Sequence, residues 1–209
     1  MHKLFLVSTL LLLIACEEES SINNRTVEIQ VSSNSLICSA FKYNEDIIIT
    51  AAHCVDDSSV KTVKVAGRSV SVQQVIVHEE WDPKLVRNDL ALIILERGDI
   101  TSDINLGLND LQVGDGLRSI TLKDGKKKNK GHTVFRFDLD RIRLKDNSKN
   151  DAICNGNSGG PVYYVEGDSY TLVGIASGIT KVRNDCNDGG DTIVVDINKQ
   201  RDWILANIL

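Results

Sequence analysis

Aromatic side chains are scarce in this chain, at 5% of 209 residues. Its apolar content is carried largely by Val and Ile, which suit strands better than helices. Positive charge is not in excess. The formal net charge is −5, which gives no reason to expect a nucleic-acid partner. Internal repeats and low-complexity blocks are missing, which excludes a solenoid. So is a long hydrophobic run: the apolar stretch at residues 4–14 is too short to cross a bilayer as a helix. What remains is enough chain for one or two domains with a sizeable core.

Lys3 followed by that short apolar stretch reads as an export signal. It ends in Leu13-Ile14-Ala15-Cys16, which resembles a bacterial lipobox, and the resemblance implies a lipid on Cys16. The alternative is an ordinary signal that happens to contain a cysteine. Residues 1–15 are thus expected to be a signal peptide and residues 16–26 a lipidated cysteine and polar tether. The expected location is the bacterial envelope, in the outer membrane if there are two, because Glu17 gives no inner-membrane signal. Two or more acyl chains would anchor the protein stably. Five cysteines are present. With Cys16 set aside, Cys38, Cys54, Cys154 and Cys186 form an even number in an exported chain, with three possible pairings.

From Val27 onward, short apolar runs alternate with polar turns. Strands are expected at residues 27–31, 37–43, 47–50, 60–65, 70–77 and 90–95. After Gly114-Asp115-Gly116 they resume at 118–122, 133–137, 141–144, 161–165, 170–176 and 192–196. Regular short strands indicate an all-β sandwich or barrel. A single helix is expected at the end, capped by Asn198 and carrying Trp203, Ile204 and Ile208 on one face.

Three strings carry the chemistry. They are Thr50-Ala51-Ala52-His53-Cys54, Asn88-Asp89-Leu90-Ala91-Leu92-Ile93 and Gly156-Asn157-Ser158-Gly159-Gly160-Pro161. A Ser hydroxyl needs an adjacent base to attack. An imidazole can take that proton and later return it to the leaving group. A buried carboxylate fixes the imidazole tautomer. A Ser between glycines in a tight turn also aims backbone N–H groups at a developing oxyanion.

In the order His, Asp, Ser, these strings resemble the chymotrypsin/trypsin family of serine endopeptidases over about residues 27–209. Leu172-Val173-Gly174-Ile175-Ala176-Ser177 and Asp202-Trp203-Ile204 add to the likeness. The resemblance implies two antiparallel Greek-key β-barrels, at residues 27–111 and 112–209, with a C-terminal helix and the site in the cleft between them. It implies His53, Asp89 and Ser158 as the catalytic triad, and Gly156 and Ser158 as the oxyanion hole. Ala152, Ile153, Ser177, Ile179 and Thr192 fall at the substrate pocket. It selects disulfides Cys38–Cys54 and Cys154–Cys186, each worth about 3 kcal/mol if unstrained. No cofactor and no metal are expected. The partners are polypeptide substrates and, through the lipid, a membrane; the chain is expected to be a monomer.

The chain departs from the family pattern in instructive places. Asn157 stands where secreted trypsins carry an Asp that pairs with a new N-terminal amine, so no activating cleavage is expected. Ala152 replaces the pocket-floor Asp of trypsin, and Ile179 and Thr192 add bulk. These changes point to small or medium apolar residues before the scissile bond, unless Asp151 or Asp191 turns inward. The rival reading is a catalytically weak or inactive lipid-anchored binding protein on a protease scaffold. Elsewhere, the basic run at residues 126–130 reads as a solvated loop or a contact for anionic headgroups. The string at residues 185–191 reads as a Gly-rich turn with a faint likeness to a calcium loop. His78 and His132 read as structural.

Overall fold

Two strands, Ile47–Thr50 and Ala91–Ile94, the second within the run expected at residues 90–95, are buried on both faces. A strand of that kind needs cover on both sides, and the architecture supplies it. The computed structural model describes residues 24–30, 37–55, 62–65, 68–95, 104–108, 110–123, 126–148, 153, 156–179 and 191–208. In chain order the strands are β1 (Thr26–Gln30), β2 (Ile37–Lys42), β3 (Ile47–Thr50), β4 (Thr62–Val65), β5 (Arg68–Ser71), β6 (Gln74–Val77) and β7 (Ala91–Ile94). They continue as β8 (Asn105–Leu106), β9 (Gly116–Lys123), β10 (Lys126–Phe137), β11 (Arg141–Asp146), β12 (Pro161–Glu166), β13 (Ser169–Ile179) and β14 (Thr192–Asp196). One helix follows, α1 (Ile197–Ile208).

The first sheet runs β1-β2-β3-β7-β6, with the β4–β5 hairpin packed beside β1. The second runs β12-β9-β10-β11-β14-β13, and the β12–β13 pairing closes it into a six-stranded barrel. Closure removes the free strand edges that would otherwise invite aggregation. β8 adds to this sheet, parallel to β13, so the chain enters the second sheet before residue 112. The all-β, chymotrypsin-like class expected from the sequence is the one observed.

Strand alternation divides the core. Ile48 and Ile93 face a cluster inside the first sheet with Val27, Ile29 and Val63. Ile49 and Leu92 point the other way, into a cluster shared with Ile120, Tyr163 and Ile175 of the barrel and Ile204 of the helix. Leu117, Val134, Ile142 and Val194 fill the barrel itself. Fully burying one such side chain contributes about 1.5–3 kcal/mol. The shared cluster therefore binds the two sheets together and fixes the seam where the candidate site lies.

Three local expectations are corrected. The run at 70–77 is two strands, because β5 pairs with β4 whereas β6 pairs with β7; the chain must break to change partner. The basic residues at 126–130 are not a loop: they lie in β10, in register with β9 from Lys126↔Lys123 to Lys130↔Ser119. The helix begins one residue before Asn198. Its cap is Asp196, whose Oδ1 accepts the Asn198 N–H at 3.0 Å.

Candidate active site

β3 ends at Thr50, and the chain turns at once through a single 3₁₀ turn at Ala52–Cys54. A disulfide from Cys54 to Cys38 of β2 fastens that turn to the neighbouring strand. His53 is held in the turn, its side chain one-third exposed. Its Nδ1–H donates to Asp89 Oδ2 at 2.7 Å, and its backbone N–H donates to Asp89 Oδ1 at 2.9 Å. A carboxylate is an acceptor only, so this contact puts a proton on Nδ1 and makes Nε2 the acceptor nitrogen whenever the ring is neutral. The Ser177 hydroxyl, from β13 of the barrel, also donates to Asp89 Oδ2. Asp89 is thus 1% exposed yet accepts three hydrogen bonds.

The residue before Asp89 is gripped from three directions. The Asn88 N–H donates to Asp140 Oδ2 at 2.6 Å, on the β10–β11 turn. Its Oδ1 accepts from Gln200 Nε2 of α1 at 2.8 Å, and its Nδ2 donates to the Glu80 carbonyl at 3.2 Å. Both Asn88 and Val86 sit at positive φ, 51° and 52°. Asn tolerates that region, but a β-branched residue does not, and such strain costs on the order of 1–3 kcal/mol. Bonds from Arg141 to the Leu85 and Val86 carbonyls, at 3.0 and 3.1 Å, help hold the strained segment.

Ser158 is half-buried on a loop that both sheets hold. Its carbonyl accepts the Ser39 N–H of β2 at 2.8 Å. Next to it, the Gly159 N–H donates to the Ala176 carbonyl of β13 at 2.7 Å, and the Ala176 N–H donates to Gly160 at 2.8 Å. Gly156 and Gly159 have φ of +90° and +81°. At Gly159 a side chain is excluded twice over, since a Cβ would lie 2.2 Å from both the Ser39 carbonyl and Thr50 Oγ1. The same Cβ would lie 3.2 Å from the Ala51 nitrogen, so the Ser158 loop rests against the start of the His53 turn. One strand end therefore holds both parts: Ala176 grips the Ser158 loop while Ser177 grips Asp89.

The remaining sequence candidates are placed as follows. Ile153 is buried and Ile179 half-buried. Thr192 pairs with Ile179 across β13–β14, and its hydroxyl donates to Asp146 Oδ1 at 3.1 Å. Ala152, Cys154, Cys186 and Cys16 lie outside the described residues, as do residues 185–190. The sulfurs of Cys38 and Cys54 and a ring nitrogen of His53 lie within 4.8 Å of one another, but the sulfurs are bonded together and offer no thiolate to a metal. His132 is fully buried, its Nδ1–H donating to Asp146 Oδ1 at 2.9 Å and its Nε2 accepting the Ser119 hydroxyl at 2.7 Å. His78 stacks on Trp203 with ring centres 4.6 Å apart.

Sequence reading missed Ser39, Asp140 and Gln200 as parts of this site. Ser39 left a faint trace, a hydroxyl inside the apolar strand ICSAFK. Asp140 and Gln200 left none, being ordinary polar residues in a turn and a helix.

The trypsin family model matches residues 14–204 of this chain. Trypsin epsilon of Drosophila erecta is 27% identical over 194 residues, spanning 76% of this chain and 74% of that protein. Trypsin iota of Drosophila melanogaster is 27% identical over 212 residues, spanning 86% and 81%. Among solved structures, a scabies mite inactivated protease paralogue superposes with a TM-score of 0.71 at 18% identity, over 90% of this chain and 95% of that one.

Proposed function

Because the chain belongs to the trypsin family, we propose that it is a serine endopeptidase with Ser158 as nucleophile, His53 as general base and Asp89 as the group that orients His53. The observation that carries this reading is the His53–Asp89–Ser177 arrangement, with the Ser158 loop held against it by the same strand end. Ser158 Oγ attacks the scissile carbonyl carbon as its proton passes to His53 Nε2. Asp89 keeps Nδ1 protonated and stabilises the imidazolium. The Gly156 and Ser158 N–H groups receive the oxyanion. Collapse expels the amine, which takes the proton from His53, and leaves an acyl-enzyme. Water, deprotonated by the same His53, then releases the acid and restores Ser158.

The substrate preference proposed is for small or medium apolar residues before the scissile bond, from Ala152, Ile179 and Thr192. Strong cleavage after Arg or Lys in a peptide library would show instead that Asp151 or Asp191 reaches the pocket. A lipid anchor at Cys16 in a bacterial envelope is part of the same proposal. It predicts that the protein needs detergent for extraction and that Cys16→Ser abolishes the need. Among the described residues no helix is long and apolar enough to cross a membrane.

The decisive experiment is labelling with a fluorophosphonate, which reacts with an activated serine. Labelling of the intact protein but not of Ser158→Ala supports the enzyme. A folded protein that takes no label and cleaves no peptide in a library is the inactive scaffold.

A further inference from the structure

Ser39 sits in the middle of β2, is wholly buried, and spends every polar atom on the site. Its N–H donates to the Ser158 carbonyl at 2.8 Å. Its hydroxyl donates to the Gly156 carbonyl at 3.0 Å, with the Leu122 carbonyl of β9 a weaker second acceptor at 3.4 Å. Its own carbonyl accepts from Thr50 Oγ1 at 3.1 Å. The residue is also in close packing contact: Cβ atoms built at Gly159 and Gly160 would meet its carbonyl oxygen at 2.2 Å and its Cβ at 3.2 Å. One residue of the first sheet thus touches four of the five residues at 156–160.

We infer that Ser39 is a positioning residue whose hydroxyl and amide set the Ser158 loop in its working conformation from the first sheet. The inference rests on the reading of Gly156 and Ser158 given above. Gly156 is the loop residue with most freedom, having no side chain and a φ of +90°. Nothing intrinsic to glycine keeps it there. The Ser39 hydroxyl fixes the carbonyl on one side of Asn157, and the Ser39 amide fixes the carbonyl on the other. With both carbonyls turned towards β2, the Asn157–Ser158 peptide between them is set, and with it the direction of the Ser158 N–H offered to an oxyanion. The partly buried Gly156 carbonyl, having lost its donor, would favour a rotated peptide that could find another partner. The cost would fall on the transition state, where the oxyanion forms, and not on ground-state binding.

The test is Ser39→Ala, which keeps both backbone bonds and removes the hydroxyl. We expect kcat to fall about tenfold, less than the ~10²–10³ typical of deleting an oxyanion donor outright, with KM changed by no more than about twofold. Affinity for a peptidyl aldehyde, which forms a tetrahedral adduct with the serine, should fall by the same factor as kcat. A merely structural role would lower the melting temperature without linking those two numbers. Amide hydrogen exchange supplies a second readout that needs no turnover: residues 156–160 should exchange faster in the variant, with β3 and β11 unchanged. Unaltered kcat and aldehyde affinity, or unaltered protection of residues 156–160, would overturn the inference. A wild-type protein without turnover would sink the endopeptidase reading alone, since exchange still decides the anchor. Should Ser39→Ala fail to fold, Ser39→Gly removes the same hydroxyl and is read the same way.

Discussion

An unpartnered carboxylate buried away from water would cost several kcal/mol, and Asp89 avoids that cost with three donors that are themselves parts of the site. Two come from His53 and one from Ser177, so the bonds that stabilise the carboxylate also orient the imidazole. Groups that act as one unit do not lose activity independently. We expect Ser158→Ala and His53→Ala each to lower kcat by on the order of 10⁶, with the double variant little worse than either. Steady-state kinetics on all three decides the matter, and multiplying effects would rule out a shared mechanism. His53, Asp89 and Ser158 stand out in the sequence as candidates because each lies in a distinctive local string. The role of the Ser177 hydroxyl does not, because residues 88 apart meet only through the fold.

Helix α1 reaches the site through the segment before β7. Gln200 bonds Asn88, while Trp203 stacks on His78 and donates its Nε1–H to Glu79 Oε2 at 2.6 Å. Gln200→Leu keeps the volume and removes the bond, leaving a buried Asn88 oxygen without that donor. The expected result is a loss of about 1–3 kcal/mol in stability and a several-fold fall in kcat as Asp89 loosens. Denaturant unfolding beside kinetics would check both, and Gln200→Glu should not restore them because it lacks the N–H donor. The helix cap gives a pH prediction. Burial, the largest effect, pushes the Asp196 carboxyl above its ordinary 3.8, aided by the nearby Asp140 and opposed by the bonds from the Asn198 and Lys199 backbones. A folded value above the unfolded one means the native state binds the proton more tightly, so this contribution is full below 3.8 and is lost as pH rises through the folded value. Asp196→Asn keeps a capping oxygen without the charge. It should therefore be at least as stable as wild type at neutral pH, with any advantage shrinking as pH falls through the raised folded value and lost below 3.8. Urea unfolding of the two proteins at both pH values would show it.

Across the whole molecule, the Ser158 loop lies on the seam between two sheets joined by a shared core cluster, and both hold it. β2 supplies Ser39, β3 supplies Thr50, and β13 supplies Ala176. Asn157 is 3% exposed and neutral, and its carbonyl accepts the Gly160 N–H at 3.0 Å. No buried anion at that position waits for a cation. We therefore expect the chain to be active on folding alone. Active-site titration of protein with residues 17–26 intact should count every molecule. An intact protein that stays silent until cut between about residues 20 and 27 would refute this.

The sequence by itself determined the strand-rich class, the order of the three strings, the Cys38–Cys54 bridge through family likeness, and the terminal helix to within a residue or two. All of these rest on local composition or on motifs a few residues long, which survive without knowledge of the fold. It misjudged the strand break near Val72 and the basic run in β10, because whether a polar stretch pairs depends on which strand lies beside it. Only the tertiary structure decided that Ser39 anchors residues 156–160 and that Asp140 and Gln200 hold Asn88. Ser, Asp and Gln are common polar residues, and nothing in their immediate neighbours distinguishes an anchor from a surface residue. The distinction comes from burial beside an unmatched donor or acceptor 52 to 117 residues away, and that proximity exists only once the two sheets have packed.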